Sequence, residues 1–323
     1  MSSRVEFGQD TEQFFQRFTL IEQIGVGGFA TVHRGLDRLS NEFVAVKVVG
    51  YRTSETKRLT APSRNLVRHL SFDQVQHENI IRLICTYVAP TKVFIVTELA
   101  SGGELLERYR ITNAGCFSED DARAVVSQIL KGVEYLHQRN IVHRDLKVTA
   151  ALENIMLSNL TPQAKVKIAD FGLARCVANV LREAYKFTNV LMNARYFTDD
   201  SQLRTICGSP LYVAPEILDI GTNSETYTPA VDMWSIGVIV YILLTVRYSY
   251  TVCLGNSPFD IEDEQVLFQK IRSGEYSMDD YLWNHISSEA KDCVQRLLTV
   301  GANLNHFRFR KSHSTCRSTQ QHE

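Results

Sequence analysis

Cysteine pairs, surplus charge and long apolar runs are all scarce in this chain of 323 residues. Its seven cysteines, at positions 85, 116, 176, 207, 253, 293 and 316, are odd in number and scattered, with no Cys-x-x-Cys pair. That spacing argues against a metal cage or a disulfide framework and for a reducing, cytoplasmic or nuclear compartment. Basic and acidic residues nearly cancel, 35 against 36, for a formal charge of −1. A chain so balanced carries no electrostatic footprint for nucleic acid or an anionic membrane, and neither partner is expected. The longest apolar stretch, Ile236 to Leu244, falls far short of the roughly 20 residues that span a bilayer, so a buried helix is expected there. The first residues show no basic-then-apolar signal pattern. What is present, 44% hydrophobic and 22% charged residues, fits a soluble globular protein.

Along the chain the pattern changes once. Residues 1–17 are polar with scattered phenylalanines and read as a short extension. From Phe18 the chain is β-rich: Leu20 and Ile24, then Thr31 to Arg34 and Phe43 to Val48, with further strands expected at Ile80–Tyr87 and Val93–Leu99. Helical periodicity then takes over. Asp120 to His137 carries apolar residues at 122, 125, 126, 129, 130, 133 and 136, one face of a helix, with Ser118 as its N-cap. Further helices are expected at Val231–Leu244, Glu264–Arg272 and Ser288–Leu298. No internal repeat is visible.

Two motifs in the second half carry chemistry. His143-Arg144-Asp145-Leu146-Lys147 offers a carboxylate, Asp145, able to accept a hydroxyl proton, and a nearby lysine able to neutralise a phosphate. Asp170-Phe171-Gly172 offers a hard oxygen ligand for Mg²⁺ at a turn that Gly172 can tighten. Upstream, Gly25-Val26-Gly27-Gly28-Phe29-Ala30 is a turn whose backbone can approach phosphates closely. A dinucleotide-binding turn would open a helix, but here the following residues alternate as a hairpin and lead to Lys47 in Val44-Ala45-Val46-Lys47. Together the motifs read as phosphoryl transfer from a nucleotide to a hydroxyl. The hairpin, and the lack of an alternating βαβ pattern, weigh against a dinucleotide-dependent oxidoreductase.

In this order the motifs resemble the protein kinases, specifically the calcium/calmodulin-dependent group of serine/threonine kinases and its checkpoint-kinase relatives, from about Phe18 to Val300. The resemblance implies an α+β bilobal fold: a small β-rich N-lobe over 18–99 and a larger helical C-lobe over 100–300, with 301–323 as a tail. It implies Mg-ATP and protein substrates with Ser or Thr acceptors. By the same resemblance Asp145 orients the acceptor hydroxyl, Lys147 stabilises the transferring phosphoryl group, and Asn154 and Asp170 hold Mg²⁺. Gly25, Gly27, Gly28, Val32, Ala45 and Lys47 line the nucleotide. Thr97, Glu98 and Ala100 form the gatekeeper and hinge, and Glu104 contacts the ribose. Thr205 is the activation-segment phosphorylation position, Arg144 its cationic partner, Ser209 faces the acceptor site and Glu216 belongs to the Ala214-Pro215-Glu216 anchor. Glu104 and Glu153 read arginine or lysine upstream of the acceptor. Asp232 and Trp234 begin a helix that braces the catalytic loop. No calmodulin-binding segment is assignable in the basic stretch 306–317.

The chain also departs from that pattern. Val148–Leu152 stands where a single proline is expected, which displaces Asn154 and leaves Ala150 at the family's asparagine position. Excess length falls near 177–197 in the activation segment and at 246–254. Between Glu55 and Asp73 there is no acidic residue, so the helix glutamate expected to pair with Lys47 has no candidate. After Val300 the arginine expected to pair with Glu216 does not appear. The C-lobe thus reads as truncated, with the apolar face of its last helix uncovered. The extra segments begin at valines, whose codons start with the GT of an intron, and so read as retained introns or as lineage-specific loops. These departures keep a second reading open, a pseudokinase that binds nucleotide or acts as a scaffold.

Overall fold

The computed structural model describes residues 6–8, 11–26, 30–50, 75–89, 92–112, 117–148, 154–170, 175–176, 210–218, 228–248, 253–254, 257–279 and 281–301. The first lobe is a six-stranded sheet in the order β1-β5-β6-β4-β3-β2. Its strands are β1 (Glu6–Gly8), β2 (Phe18–Val26), β3 (Ala30–Asp37), β4 (Glu42–Gly50), β5 (Leu83–Val88) and β6 (Lys92–Glu98). All neighbours are antiparallel except β1, which runs parallel to β5 along the edge. Helix α1 (Thr11–Arg17) lies between the first two strands. The segment read as an extension is therefore built into this lobe.

Strand periodicity divides the sheet into two chemically different faces. Val44 and Val46 of β4, Phe94 and Val96 of β6, and Cys85 and Tyr87 of β5 share one face and form the lobe's apolar core with Phe14 and Phe18. On the other face the register aligns Val32 with Lys47 and Ile95, and Ala45 with Thr97.

The second lobe is mainly helical. After β7 (Gly103–Glu104) and α2 (Leu105–Thr112) comes α3 (Glu119–His137), then the short strands β8 (Ile141–Val142), β9 (Ile155–Leu157), β10 (Val166–Ile168) and β11 (Arg175–Cys176). The helices α4 (Pro215–Leu218), α5 (Ala230–Thr245), α6 (Glu264–Ser273) and α7 (Ser288–Leu297) follow, with a small hairpin of β12 (Arg247–Tyr248) and β13 (Cys253–Leu254) after α5. Helix α3 starts as its sequence predicts: the Ser118 hydroxyl accepts from Asp121 N at 3.1 Å, and Asp121 accepts back from Ser118 N at 3.3 Å. Every residue of α5 from Val231 to Thr245 is buried, so this helix is the centre of the lobe.

Close packing around α3 and α5 depends on two glycines. A Cβ at Gly132 would lie 2.8 Å from Ile168 Cδ1 and 3.2 Å from the Asn79 carbonyl, so glycine lets α3 approach β10 without displacing either. A Cβ at Gly237 would meet Leu298 at 2.8 Å and Leu297 at 2.9 Å, which seats α7 directly on α5. The apolar face of α7, expected to stay uncovered, is covered: Val294, Leu297 and Leu298 are all buried. The reason is that α5 itself supplies the opposing surface.

Of the predicted insertions, 149–152 and 177–197 lie outside the described residues. At the third, Val246 is fully buried as the cap of α5, and the residues beyond it fold into the β12–β13 hairpin. The tail from 302 onward also lies outside.

Candidate active site

The site is built from the underside of α5 upward. Asp232, in the first turn of α5, is completely buried. Its two carboxylate oxygens accept from His143 N at 2.9 Å, Arg144 N at 2.7 Å and the His137 ring at 2.8 Å. A buried carboxylate with that many donors is satisfied, and its position in turn fixes the backbone above it. The restraint matters because Arg144 sits at φ 68°, a left-handed conformation that costs a long side chain on the order of 1–3 kcal/mol. Asp232 thus holds a strained turn whose next residue is Asp145. Trp234, on the same helix, stacks against Phe259 at 5.7 Å.

His143 is fully buried and locks the turn from within. Its Nδ1 accepts from Asp145 N at 3.3 Å, and its Nε2 lies 3.1 Å from the carbonyl of Ala169, immediately before Asp170. One imidazole therefore couples the backbone of Asp145 to the residue that precedes Asp170. Asp170 has φ 58°, so the left-handed step falls on the aspartate itself; Gly172 is outside the described residues.

Asp145 is almost enclosed, with 11% of its side chain exposed, and Lys147 Nζ lies 3.2 Å from Oδ2. Burial pushes the Asp145 carboxyl above its ordinary range, and Asp170 adds to the rise, while Lys147 and His143 pull the other way without cancelling it. Lys147 is placed to compensate the carboxylate.

Asn154 reaches this loop despite the lengthened sequence before it. Its Oδ1 accepts from Lys147 N at 2.9 Å, its Nδ2 donates to the carbonyl of Asp145, and its own carbonyl accepts from Ala169 N at 2.8 Å. The loop is therefore fixed at Asn154, on the far side of residues 149–153, which lie outside the described residues. The exit point is held too: the Val148 carbonyl accepts from the Tyr212 hydroxyl at 2.6 Å, and Tyr212's own carbonyl accepts from Ser235 of α5 at 3.0 Å.

Above this loop the first lobe supplies Lys47, whose Nζ is 2.6 Å from Asp170 Oδ1. The segment in which a glutamate partner would lie, 51–74, is outside the described residues. Val32, Ala45, Lys47 and Thr97 share the sheet face turned away from the Phe14 core, and Gly25 pairs with Val32 at the open end of β2. Glu98 closes β6; its carboxylate accepts from Lys167 Nζ of β10 at 2.6 Å and from Arg82 N at 2.9 Å, and Ala100 follows at the crossing to the second lobe. Glu104 of β7 pairs with Met156 of β9.

Not every expected residue is described. Gly27, Gly28, Glu153, Thr205 and Ser209 lie outside the described residues. Glu216 is in α4, where desolvation by its surroundings pushes its carboxyl up, and no basic side chain among the described residues pairs with it. Three contributors were not anticipated: Tyr212, Lys167 and Asn79. The Asn79 amide donates to Val166 O at 2.9 Å and to Gln128 Oε1 at 3.1 Å, linking the segment before β5 to β10. Asn79 stood in the recognisable His77-Glu78-Asn79 turn, but its partner is far away in sequence, and no local spacing announces it.

A cleft between a mostly antiparallel sheet and a helical lobe, carrying a lysine on the sheet and an Asp–Lys–Asn–Asp group below it, has counterparts among known sequences. Residues 18–304 match the family of the protein kinase domain. Human serine/threonine-protein kinase H1 is 36% identical over 277 residues, covering 86% of this chain and 55% of the relative. Mouse calcium/calmodulin-dependent protein kinase type IV is 35% identical over 294 residues, 91% of this chain and 53% of the relative. Myosin light chain kinase A of Dictyostelium discoideum is 35% identical over 280 residues, 86% of this chain and 80% of the relative. The chain thus spans little more than half the length of the first two of these. With the family match extending over most of the chain and the cleft built as described, this chain belongs to the protein kinase family.

Proposed function

We propose that this chain is a protein serine/threonine kinase that transfers the γ-phosphoryl group of ATP to Ser or Thr hydroxyls of protein substrates. The observation that carries the proposal is the convergence of Asp145, Lys147 and Asn154 with Asp170 and Lys47 in one cleft, held by Asp232 and His143 from beneath. In this reading Asp145 accepts a hydrogen bond from the acceptor hydroxyl and takes its proton as the phosphoryl bond forms. Lys147 neutralises charge on the group in transit, and Lys47 neutralises the phosphates of the nucleotide from above. Asp170 and Asn154, a carboxylate and an amide oxygen, are the hard donors that suit Mg²⁺, which screens phosphate charge when bound. Thr97, Glu98 and Ala100 line the crossing where the adenine sits, and Glu104 is placed to meet the ribose. A lysine following the catalytic aspartate by two residues is the serine/threonine form of this loop.

Glu104, together with Glu153, favours substrates with arginine or lysine upstream of the acceptor, by charge-assisted hydrogen bonding in a partly desolvated groove. A peptide array should then show basic residues enriched upstream of the phosphorylated Ser or Thr, and an array without basic bias removes this preference. Transfer itself is tested by radiolabelled phosphate incorporation in the natural chain and in Asp145→Asn. The natural chain should transfer phosphate and the variant should lose nearly all of it. Equal incorporation in both would make Asp145 a bystander, and none in either would leave a nucleotide-binding or scaffolding module.

A further inference from the structure

Phe14 and Arg17 precede the family-matched residues, which begin at 18, yet both are embedded in the first lobe. Phe14 is completely buried, while its neighbour Phe15 is 45% exposed, so α1 presents one specific ring to the sheet. That ring stacks on Phe94 at 4.1 Å between centroids with a 12° interplanar angle, on Phe18 at 5.4 Å, and meets the edge of Tyr87 at 5.6 Å. At its C-terminal end the helix is pinned. Arg17 Nε and Nη2 reach the carboxylate of Asp37, at the end of β3, over 2.9–3.2 Å, and Arg38 N donates to the Arg17 carbonyl at 2.9 Å. Asp37 is 2% exposed, and although burial alone would raise its carboxyl, the Arg17 fork and the Leu39 amide hold it below its ordinary value. An aromatic plug at its centre and an ion pair one turn on, at its C-terminal end, fix both the position and the rotation of α1.

What α1 presses on is the reverse side of the nucleotide face. Phe94 pairs with Val48, and the residues between and beside them in register, Lys47, Ile95 and Thr97, point to the opposite face. A single sheet is one residue thick, so a shift of Phe94 or Val48 moves the backbone that carries Lys47. The face holding Lys47 must stay open to a polar ligand and cannot hold itself in place by apolar packing. The restraint has to come from behind.

We infer that Phe14, held by the Arg17–Asp37 pair, is a positioning residue for the nucleotide face of the sheet, acting through Phe94 and Val48 on Lys47 and Thr97. The inference rests on the kinase reading for the identity of the ligand.

Its test compares the full chain with Phe14→Ala and Phe14→Leu, each below its own unfolding temperature. Affinity for MgATP is measured by calorimetry, and backbone hydrogen exchange is followed across β4, β6 and α5. Phe14→Ala should raise the MgATP Kd on the order of tenfold, as a sub-ångström displacement of Lys47 warrants. Exchange should speed up in β4 and β6 while α5 stays as it was, and Phe14→Leu, which keeps most of the volume, should recover most of the affinity. An unchanged Kd with a lower unfolding temperature would reduce Phe14 to a stabilising contact and overturn the inference. So would exchange that rises equally in both lobes. Should Phe14→Ala fail to fold, Phe14→Leu against Phe14→Val gives the same comparison over a smaller volume change. A natural chain that binds no MgATP sinks the kinase reading separately, and the exchange pattern still decides whether Phe14 holds these strands.

Discussion

Asp145 sits where two requirements conflict. In its proposed role as proton acceptor it must be ionised, yet its enclosure disfavours the ionised form, and the attraction of Lys147 and His143 does not fully offset that cost. A carboxyl raised above the ordinary aspartate value, about 3.9, titrates closer to neutrality. The acid limb of transfer activity should therefore lie above that value, with activity falling as pH drops through the raised pKa. The stability effect has the opposite sense. Between the unfolded and folded pKa values the native state holds the proton that the unfolded chain releases, so stability declines as pH rises through that window. Asp145→Asn removes the penalty while keeping the shape. Its unfolding temperature at neutral pH should equal or exceed that of the natural chain, and the decline across the acidic window should flatten. A variant that melts clearly lower at neutral pH would mean that the contact of Asp145 with Lys147 outweighs its burial.

The same opposition between local pattern and distant partner decides which elements were legible in advance. Helices α3, α5, α6 and α7 were read to within a residue or two, because each carries its own period, its own cap or an unbroken apolar run. The strands of the first lobe from Phe18 onward were equally clear, apart from Ile80, which forms a single bridge to Ile168 before β5 begins at Leu83, whereas β1 lay in the segment read as an extension and was missed. Missed were β8, β9 and β10, two or three residues each, too short for any alternation to register. Also missed was α1, whose Thr-Glu-Gln-Phe-Phe-Gln-Arg sequence shows no period and whose one decisive contact, Phe14 on Phe94, joins residues far apart in the chain. In the site, Asp145, Lys147, Asp170 and Lys47 were legible because their motifs are contiguous. Asn154 was named with them, but whether it reaches the loop was not legible, since its sequence distance from Asp145 is set by residues whose path the sequence does not state.

That loop supports a prediction about elements. Both its ends are held, by Asn154 on Lys147 N and by Tyr212 on the Val148 carbonyl. Extra length in a connection with fixed ends costs little, about 0.6 kcal/mol for each doubling. Replacing Val148–Leu152 by one proline should accordingly change kcat by less than about tenfold, whereas Asn154→Ala, which frees the loop, should cost on the order of 100-fold. Kinetics of the two variants beside the natural chain check this. A gain of 100-fold or more on shortening would show that the long loop does not hold Asn154 in place in solution.

At the scale of the whole molecule, the cleft works only if the lobe that carries Lys47 keeps station over the lobe that carries Asp145 and Asp170. Beside the Lys47–Asp170 and Lys167–Glu98 ion pairs, two further kinds of contact cross between them among the described residues. One is exposed charge, as in Lys165 Nζ to Glu78 at 2.6 Å, with both side chains more than half exposed. The other is a buried seam in which Ile81 N donates to Ile168 O at 2.9 Å, Ile168 N to Asn79 O at 2.8 Å, and the Asn79 amide to Val166 O and Gln128. Exposed pairs of this kind are screened by solvent and contribute little. A buried amide whose partners lose their donor costs about 1–3 kcal/mol. Asn79 Oδ1 is itself buried without a partner among the described residues, which subtracts from the net value and favours the lower half of that range. Asn79→Ala should therefore lower the unfolding temperature by a few degrees and weaken MgATP binding, because the seam ends two residues before Asp170. Lys165→Ala should change neither. The comparison requires only melting curves and one titration for each variant. If Lys165→Ala destabilises as much as Asn79→Ala, surface charge and not the buried amide joins the lobes, and the registration of Lys47 over Asp170 should then weaken as salt is raised.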